Sequence, residues 1–104
     1  MVYTEIEGFE WDMRKAQTNF EKHRIRFEEA IKAFDDPYAL IDENLKRQVG
    51  SESRAVLIGE ADGRIVVVVV FTLRKRGKSL RVISARRASK KERRLYEEAK
   101  RISF

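Results

Sequence analysis

His23 is the one histidine in the chain, and histidine is the residue type that gives and takes protons near neutral pH. Arginines fall where strands should begin and end, at Arg54, Arg74, Arg81, Arg86 and Arg87. Lys22 adjoins the histidine, and Lys90 and Lys91 open the last helical segment. An arginine fork donates two hydrogen bonds at once and so matches phosphate geometry. Such a set suits proton transfer and charge stabilisation at a phosphate. Other chemistries lack their residues. There is no cysteine, hence no thiol nucleophile, disulfide or Cys-ligated zinc. With a single histidine, no paired His or His/Glu spacing for a transition metal occurs. Glu28-Glu29 and Asp35-Asp36 are adjacent pairs, which on a helix diverge by about 100°. No metal and no cofactor are therefore expected. His23 also has a plainer role open to it, as a helix-end residue favoured by the C-terminal dipole.

The elements that must position these groups fit one domain of 104 residues. Asp12 is a good N-cap for a helix from Met13 to about His23. Phe27, Ala30, Ile31 and Phe34 recur at i, i+3, i+4 and i+7 and predict a second amphipathic helix. Pro37 stops it. A short strand is expected around Phe9 to Trp11, then strands at Tyr38 to Asp42, Ala55 to Gly59, Ile65 to Leu73 and Leu80 to Arg86. Asn44 to Ser53 reads as a polar loop, and Asp62-Gly63 as a hairpin turn. The β-branched run from Ile65 predicts a central strand covered on both faces. Ser89 and Glu92 match the S-x-x-E capping box of a last helix striped by Leu95, Ala99 and Ile102. The expectation is an α+β domain: two N-terminal helices, a four-stranded antiparallel meander sheet and a C-terminal helix. Trp11, Phe20, Phe27 and Phe34 are assigned to the core. Tyr96 is read as core packing against the sheet, with base stacking as the alternative.

Charge divides the chain unevenly. Residues 1–71 carry 10 Lys/Arg against 14 Asp/Glu, and residues 72–104 carry 13 against 3, so +10 in the last third outweighs −4 before it. Such a surface suits a phosphate backbone, or an acidic protein partner. The longest apolar run, Ile65 to Phe71, is too short to span a bilayer. The acidic, polar start lacks the pattern of a signal peptide. A cytoplasmic protein that does not engage membranes is expected.

The order of motifs resembles the BrnT family of toxins. The segments that carry the resemblance are Phe9-Glu10-Trp11-Asp12, Lys15-Ala16, Asn19, Lys22-His23, Phe27-Glu28-Glu29-Ala30 and Phe34-Asp35-Asp36-Pro37. Arg54, Ile58-Gly59, Val69-Val70-Phe71-Thr72, Arg81 through Ala88, Glu92-Arg93 and Tyr96-Glu97 follow in register. The match runs over roughly residues 9 to 98. Two positions depart from the family pattern: Arg24 stands where Gly is usual after the Lys-His pair, and Arg26 where Ser is usual before Phe-Glu-Glu.

The resemblance implies a RelE-like fold and a metal-independent endoribonuclease. It also implies a ribbon-helix-helix antitoxin of the BrnA kind, in a heterotetramer whose DNA contacts come from the antitoxin. In such an enzyme the ribose 2′-OH attacks its own phosphate, which requires a base, an acid and cations for the charge that builds on phosphorus. His23, Arg54, Arg81 and Arg86 are the catalytic candidates, with Lys22, Arg74, Arg87, Lys90 and Lys91 binding RNA. Regular alternation along the last strand sets Leu80, Val82, Ser84 and Arg86 on one side and Arg81, Ile83, Ala85 and Arg87 on the other. That would divide the arginines between two faces. The alternatives are a non-catalytic nucleic-acid-binding module and a surface that serves only to receive an antitoxin.

Overall fold

A computed structural model describes residues 6–42, 48–49 and 52–103. Its strands and helices run β1 (Gly8–Glu10), α1 (Met13–His23), α2 (Phe27–Ala30), β2 (Leu40–Asp42), β3 (Gln48–Val49), β4 (Glu52–Ser53), β5 (Ala55–Ala61), β6 (Ile65–Arg74), β7 (Ser79–Arg87) and α3 (Lys90–Ile102). The loop expected at Asn44 to Ser53 lies partly outside the described residues; within it, β3 and β4 pair as a two-stranded ribbon. Among the described residues no helix is long and apolar enough to cross a membrane.

Asp12 starts α1 as its composition suggests, its Oδ1 accepting from the amides of Arg14 at 2.8 Å and Lys15 at 3.1 Å. The helix ends at Arg24, which adopts a left-handed conformation with φ 58° and donates its amide to Phe20 O at 2.8 Å. That is the geometry in which glycine is favoured. The Arg24 guanidinium lies 5.6 Å from the Phe20 ring centroid, and that of Arg26 lies 4.4 Å from it. Phe20 is thus a half-buried platform for two cations rather than a core residue.

The second helix is shorter than its periodicity suggests. One α turn gives way at Ile31 to a 3-10 stretch through Asp35. Pro37 disfavours the α conformation just before it, and β5 presses close. A Cβ on Gly59 would lie 3.0 Å from Ala39 Cβ and 3.1 Å from Ala33 O.

The sheet order is β1-β7-β6-β5-β2. The four-strand antiparallel meander of the sequence reading becomes a five-stranded mixed sheet, because β1 adds parallel to β7 at the edge, with Phe9 beside Leu80. Three residues carry little periodic signal, and their partner lies some 70 residues further along the chain. The long strand β6 is central, as its β-branched run implies.

Two faces of this sheet have different fates. One bears Leu57, Val67, Val69, Phe71, Leu80, Val82 and Ala85, packed with Phe27, Ala30, Ala33 and Phe34 into the main core. The Phe34 ring meets Phe71 edge-on at 5.1 Å, and Trp11 meets Phe27 at 5.8 Å. The other face is partly covered by α3, which packs on β5, and Val66 and Val68 of that face are buried. Tyr96 is 2% exposed and its hydroxyl donates to Asp36 Oδ2 at 2.6 Å. The same carboxylate accepts from the amides of Tyr38 and Glu60, joining the 3-10 turn, β5 and α3. Burial and this carboxylate push the Tyr96 phenol well above its ordinary value.

The capping box at the head of α3 forms as read. Ser89 Oγ accepts from the Glu92 amide at 3.2 Å, and Glu92 Oε1 accepts from the Ser89 amide at 2.8 Å. Both Glu92 oxygens also accept from Arg86, at 2.7 and 2.9 Å. Hydrogen bonds from Arg86 above all, and from Ser89, hold the Glu92 carboxyl down to about 2.

Arg24→Gly relieves about 1 kcal/mol of left-handed strain and gives up about 0.5 kcal/mol of ring stacking. Its melting temperature should rise by about 2–4 °C, and a fall would show that stacking outweighs strain. Because folding lowers the Glu92 pKa, its stabilisation is complete above the ordinary carboxylate value and is lost as pH falls toward 2. Glu92→Gln should therefore cost about 1 kcal/mol at pH 7, given its partial exposure, and its urea midpoint should merge with that of the wild type near pH 2.

Candidate active site

Strand β7 departs from regular alternation. Val82 pairs with Phe71 and Ser84 with Val70, so Ile83 is an extra residue and the register shifts there. This β-bulge reverses the facing of everything beyond it. Arg81, opposite Thr72, and Arg86, opposite Val68, consequently lie on the same face, with Ser84 between them. The division of these arginines between two faces, expected from strict alternation, is corrected by the bulge. Arg87 turns the other way, paired with Val67 of the core-facing set.

Asn19 holds the bulge. Its side chain accepts from the Ala85 amide at 3.0 Å and donates to Ala85 O at 2.8 Å, with a further bond to Ile25 O at 3.2 Å. Beyond Arg81 no strand pairs with this edge of β7 among the described residues. A side-chain amide with one donor end and one acceptor end takes the neighbour's place. α1 is thereby fixed against β7.

The two elements enclose a groove of about 320 Å³ lined by Arg14, Lys15, Thr18, Asn19, Lys22, His23, Ile83 and Ser84. His23 and Lys22 are thus brought beside β7, with His23 half-buried and Lys22 exposed. Same-face residues on a strand are about 6.7 Å apart, so the groove meets the open face at Ser84, about one such step from Arg81 and one from Arg86. The amides of Lys15 and Arg14 lower the Asp12 carboxyl below its usual range, and the Arg81 charge adds to this, which sets Arg81 near the start of α1.

The remaining candidates scatter in role. Arg54 precedes β5 and, by continuation of that strand's alternation, falls opposite Thr72 on the face of Arg81. It is half-buried. Arg74 shares that face and pairs with Glu10 at 3.4 Å, while Ser79 Oγ donates to the same carboxylate at 3.1 Å. Arg86 is committed to Glu92, which raises its pKa further. Lys90 and Lys91 are exposed on the first turn of α3. Among the described residues no three histidine, aspartate or glutamate side chains group as a metal site would require.

The sequence reading missed Arg14, Lys15 and Thr18. Their signal was available: Arg14, Thr18 and Lys22, and Lys15, Asn19 and His23, recur every four residues and form two adjacent ridges of α1.

The model of the family described as "Ribonuclease toxin, BrnT, of type II toxin-antitoxin system" matches residues 11–92. Among solved structures, the Brucella abortus ribonuclease toxin BrnT is similar, with a TM-score of 0.60 and 29% identity over 80% of this chain and 97% of that one. No curated protein matches. The matched span includes α1, the bulged β7 and the capping box of α3, and on this ground the chain belongs to the BrnT family of ribonuclease toxins from type II toxin–antitoxin systems.

Proposed function

We propose that this chain is a metal-independent endoribonuclease of the cytoplasm that cuts RNA through its own 2′-OH. The observation that carries the reading is the bulge at Ile83, which sets Arg81, Ser84 and Arg86 on one face beside the groove that holds His23. The 2′-oxygen attacks phosphorus as its proton passes to a base, and the bond from phosphorus to the 5′-oxygen breaks as that oxygen takes a proton. The products are a 2′,3′-cyclic phosphate and a 5′-hydroxyl, and DNA, lacking the 2′-OH, is spared.

His23 carries one of the two protons. With a single imidazole, the second carrier is a lysine, a tyrosine, a glutamate or a water. Arg81 and Arg54 flank Thr72 and offset the charge that builds on the phosphoryl oxygens. Arg86, braced by Glu92, marks the other end of the RNA path and contributes its outward-facing charge. Lys22 contacts phosphate at the rim. Arg74, Arg87, Lys90 and Lys91 attract RNA without positioning it.

Membership of a type II toxin family brings an antitoxin with it. We further propose that this antitoxin is a BrnA-like ribbon-helix-helix protein, two toxins binding one antitoxin dimer, and that DNA is contacted only through it. The basic last third suits an acidic antitoxin segment as well as RNA.

Incubation of the purified chain with RNA in EDTA tests the reading. Cleavage should persist, leave 2′,3′-cyclic phosphate ends, and fall about 10²–10³-fold in Arg81→Ala and about 10²–10⁴-fold in His23→Gln, both checked for folding by circular dichroism. Retarded RNA without cutting would identify a binding module instead, and cutting restored only by added Mg²⁺ would overturn the metal-free mechanism.

A further inference from the structure

The groove between α1 and the bulge of β7 has features that proton transfer alone does not need. Its two ridges on α1 present Arg14, Thr18 and Lys22 on one line and Lys15, Asn19 and His23 on the next. Its opposite wall is Ile83, the residue that the bulge makes extra, and Ser84. Four cations elsewhere are held by carboxylates: Arg74 by Glu10, Arg86 by Glu92, Arg101 by Glu98 and Lys32 by Asp62. Arg14, Lys15 and Lys22 enter no ion pair among the described residues. Three cations converging on one groove, with Asp12 the nearby carboxylate that Lys15 acts on, favour an anion, and a groove of about 320 Å³ lies at the small end of ligand pockets.

We infer that this groove is a nucleotide subsite that takes one RNA nucleotide next to the scissile phosphate, its phosphate on Arg14, Lys15 and Lys22 and its base against Ile83. The inference rests on the nuclease reading above for its place in the reaction. The Ile83 side chain and the aliphatic stems of the lysines supply an apolar surface for a flat base. Asn19 takes no part in reading it, because its amide is spent on Ala85 and Ile25. The hydroxyls of Thr18 and Ser84 are the polar groups that can hydrogen-bond a base edge. Selection among bases therefore falls to these two side chains, and to the shape set by Ile83.

The test uses the whole chain, with backbone amide NMR under titration by each of the four nucleoside 3′-monophosphates and by inorganic phosphate. Expected are shifts centred on Thr18, Ile83 and Ser84, saturating at concentrations at least tenfold lower for a nucleoside phosphate than for inorganic phosphate. Thr18→Tyr, on an exposed helix position, fills the groove and should weaken nucleotide binding at least tenfold and raise KM for RNA by a similar factor. Equal affinity for inorganic phosphate, or shifts confined to Arg54 and Arg81, would overturn the subsite even if RNA is cut. Nucleotide binding at these amides in a protein that cuts no RNA would instead keep the subsite and remove the nuclease.

Discussion

The bond pair between the Asn19 side chain and the Ala85 backbone is the constraint on which the arrangement depends. β7 touches the parallel edge strand, the central strand and the first two helices. Beyond the bulge the Ala85 amide and carbonyl face an edge that no strand pairs among the described residues, and unpaired buried groups of that kind are costly. Asn19 satisfies both and is itself buried, which ties α1 to β7. Fixing α1 fixes the groove. The same bulge turns Arg86 to the side of Arg81, so one backbone irregularity serves both the cationic face and the groove.

A second set of contacts braces the opposite end of that face. Glu92 closes the capping box of α3 and grips Arg86 with both oxygens, while Tyr96 of the same helix reaches Asp36 behind β5. α3 therefore does more than pack on β5. It aims an arginine fork. The Arg86 side chain is 44% exposed, and the two bonds to Glu92 hold its guanidinium in place.

Departures from the family pattern at Arg24 and Arg26 now have a physical reading. A left-handed arginine ends α1 where glycine would be relaxed, and it is offset by stacking of two guanidinium groups on Phe20. The turn closes with arginine in the left-handed position, and His23 lies on the ridge with Lys15 and Asn19. At Arg26 the head of α2 is closed by Glu29, whose Oε1 accepts from the Arg26 amide at 3.4 Å.

Local chemistry made much of this legible in the sequence. Asp12 and the Ser89/Glu92 box mark helix starts because capping is decided within three residues. The β-branched run from Ile65 marks the central strand because burial on both faces demands it, and the order of motifs identified the family. The edge strand β1 was seen only as a hint near Phe9, since its pairing with β7 is remote. The length of α2 was overstated because its periodicity does not register the pressure of Gly59 against the turn. The facing of Arg81 and Arg86 belonged to the tertiary structure alone. Alternation is a rule of regular strands, whereas a bulge is stabilised by a side chain 66 positions away in the chain. The sequence chose the cations; the fold chose which of them meet.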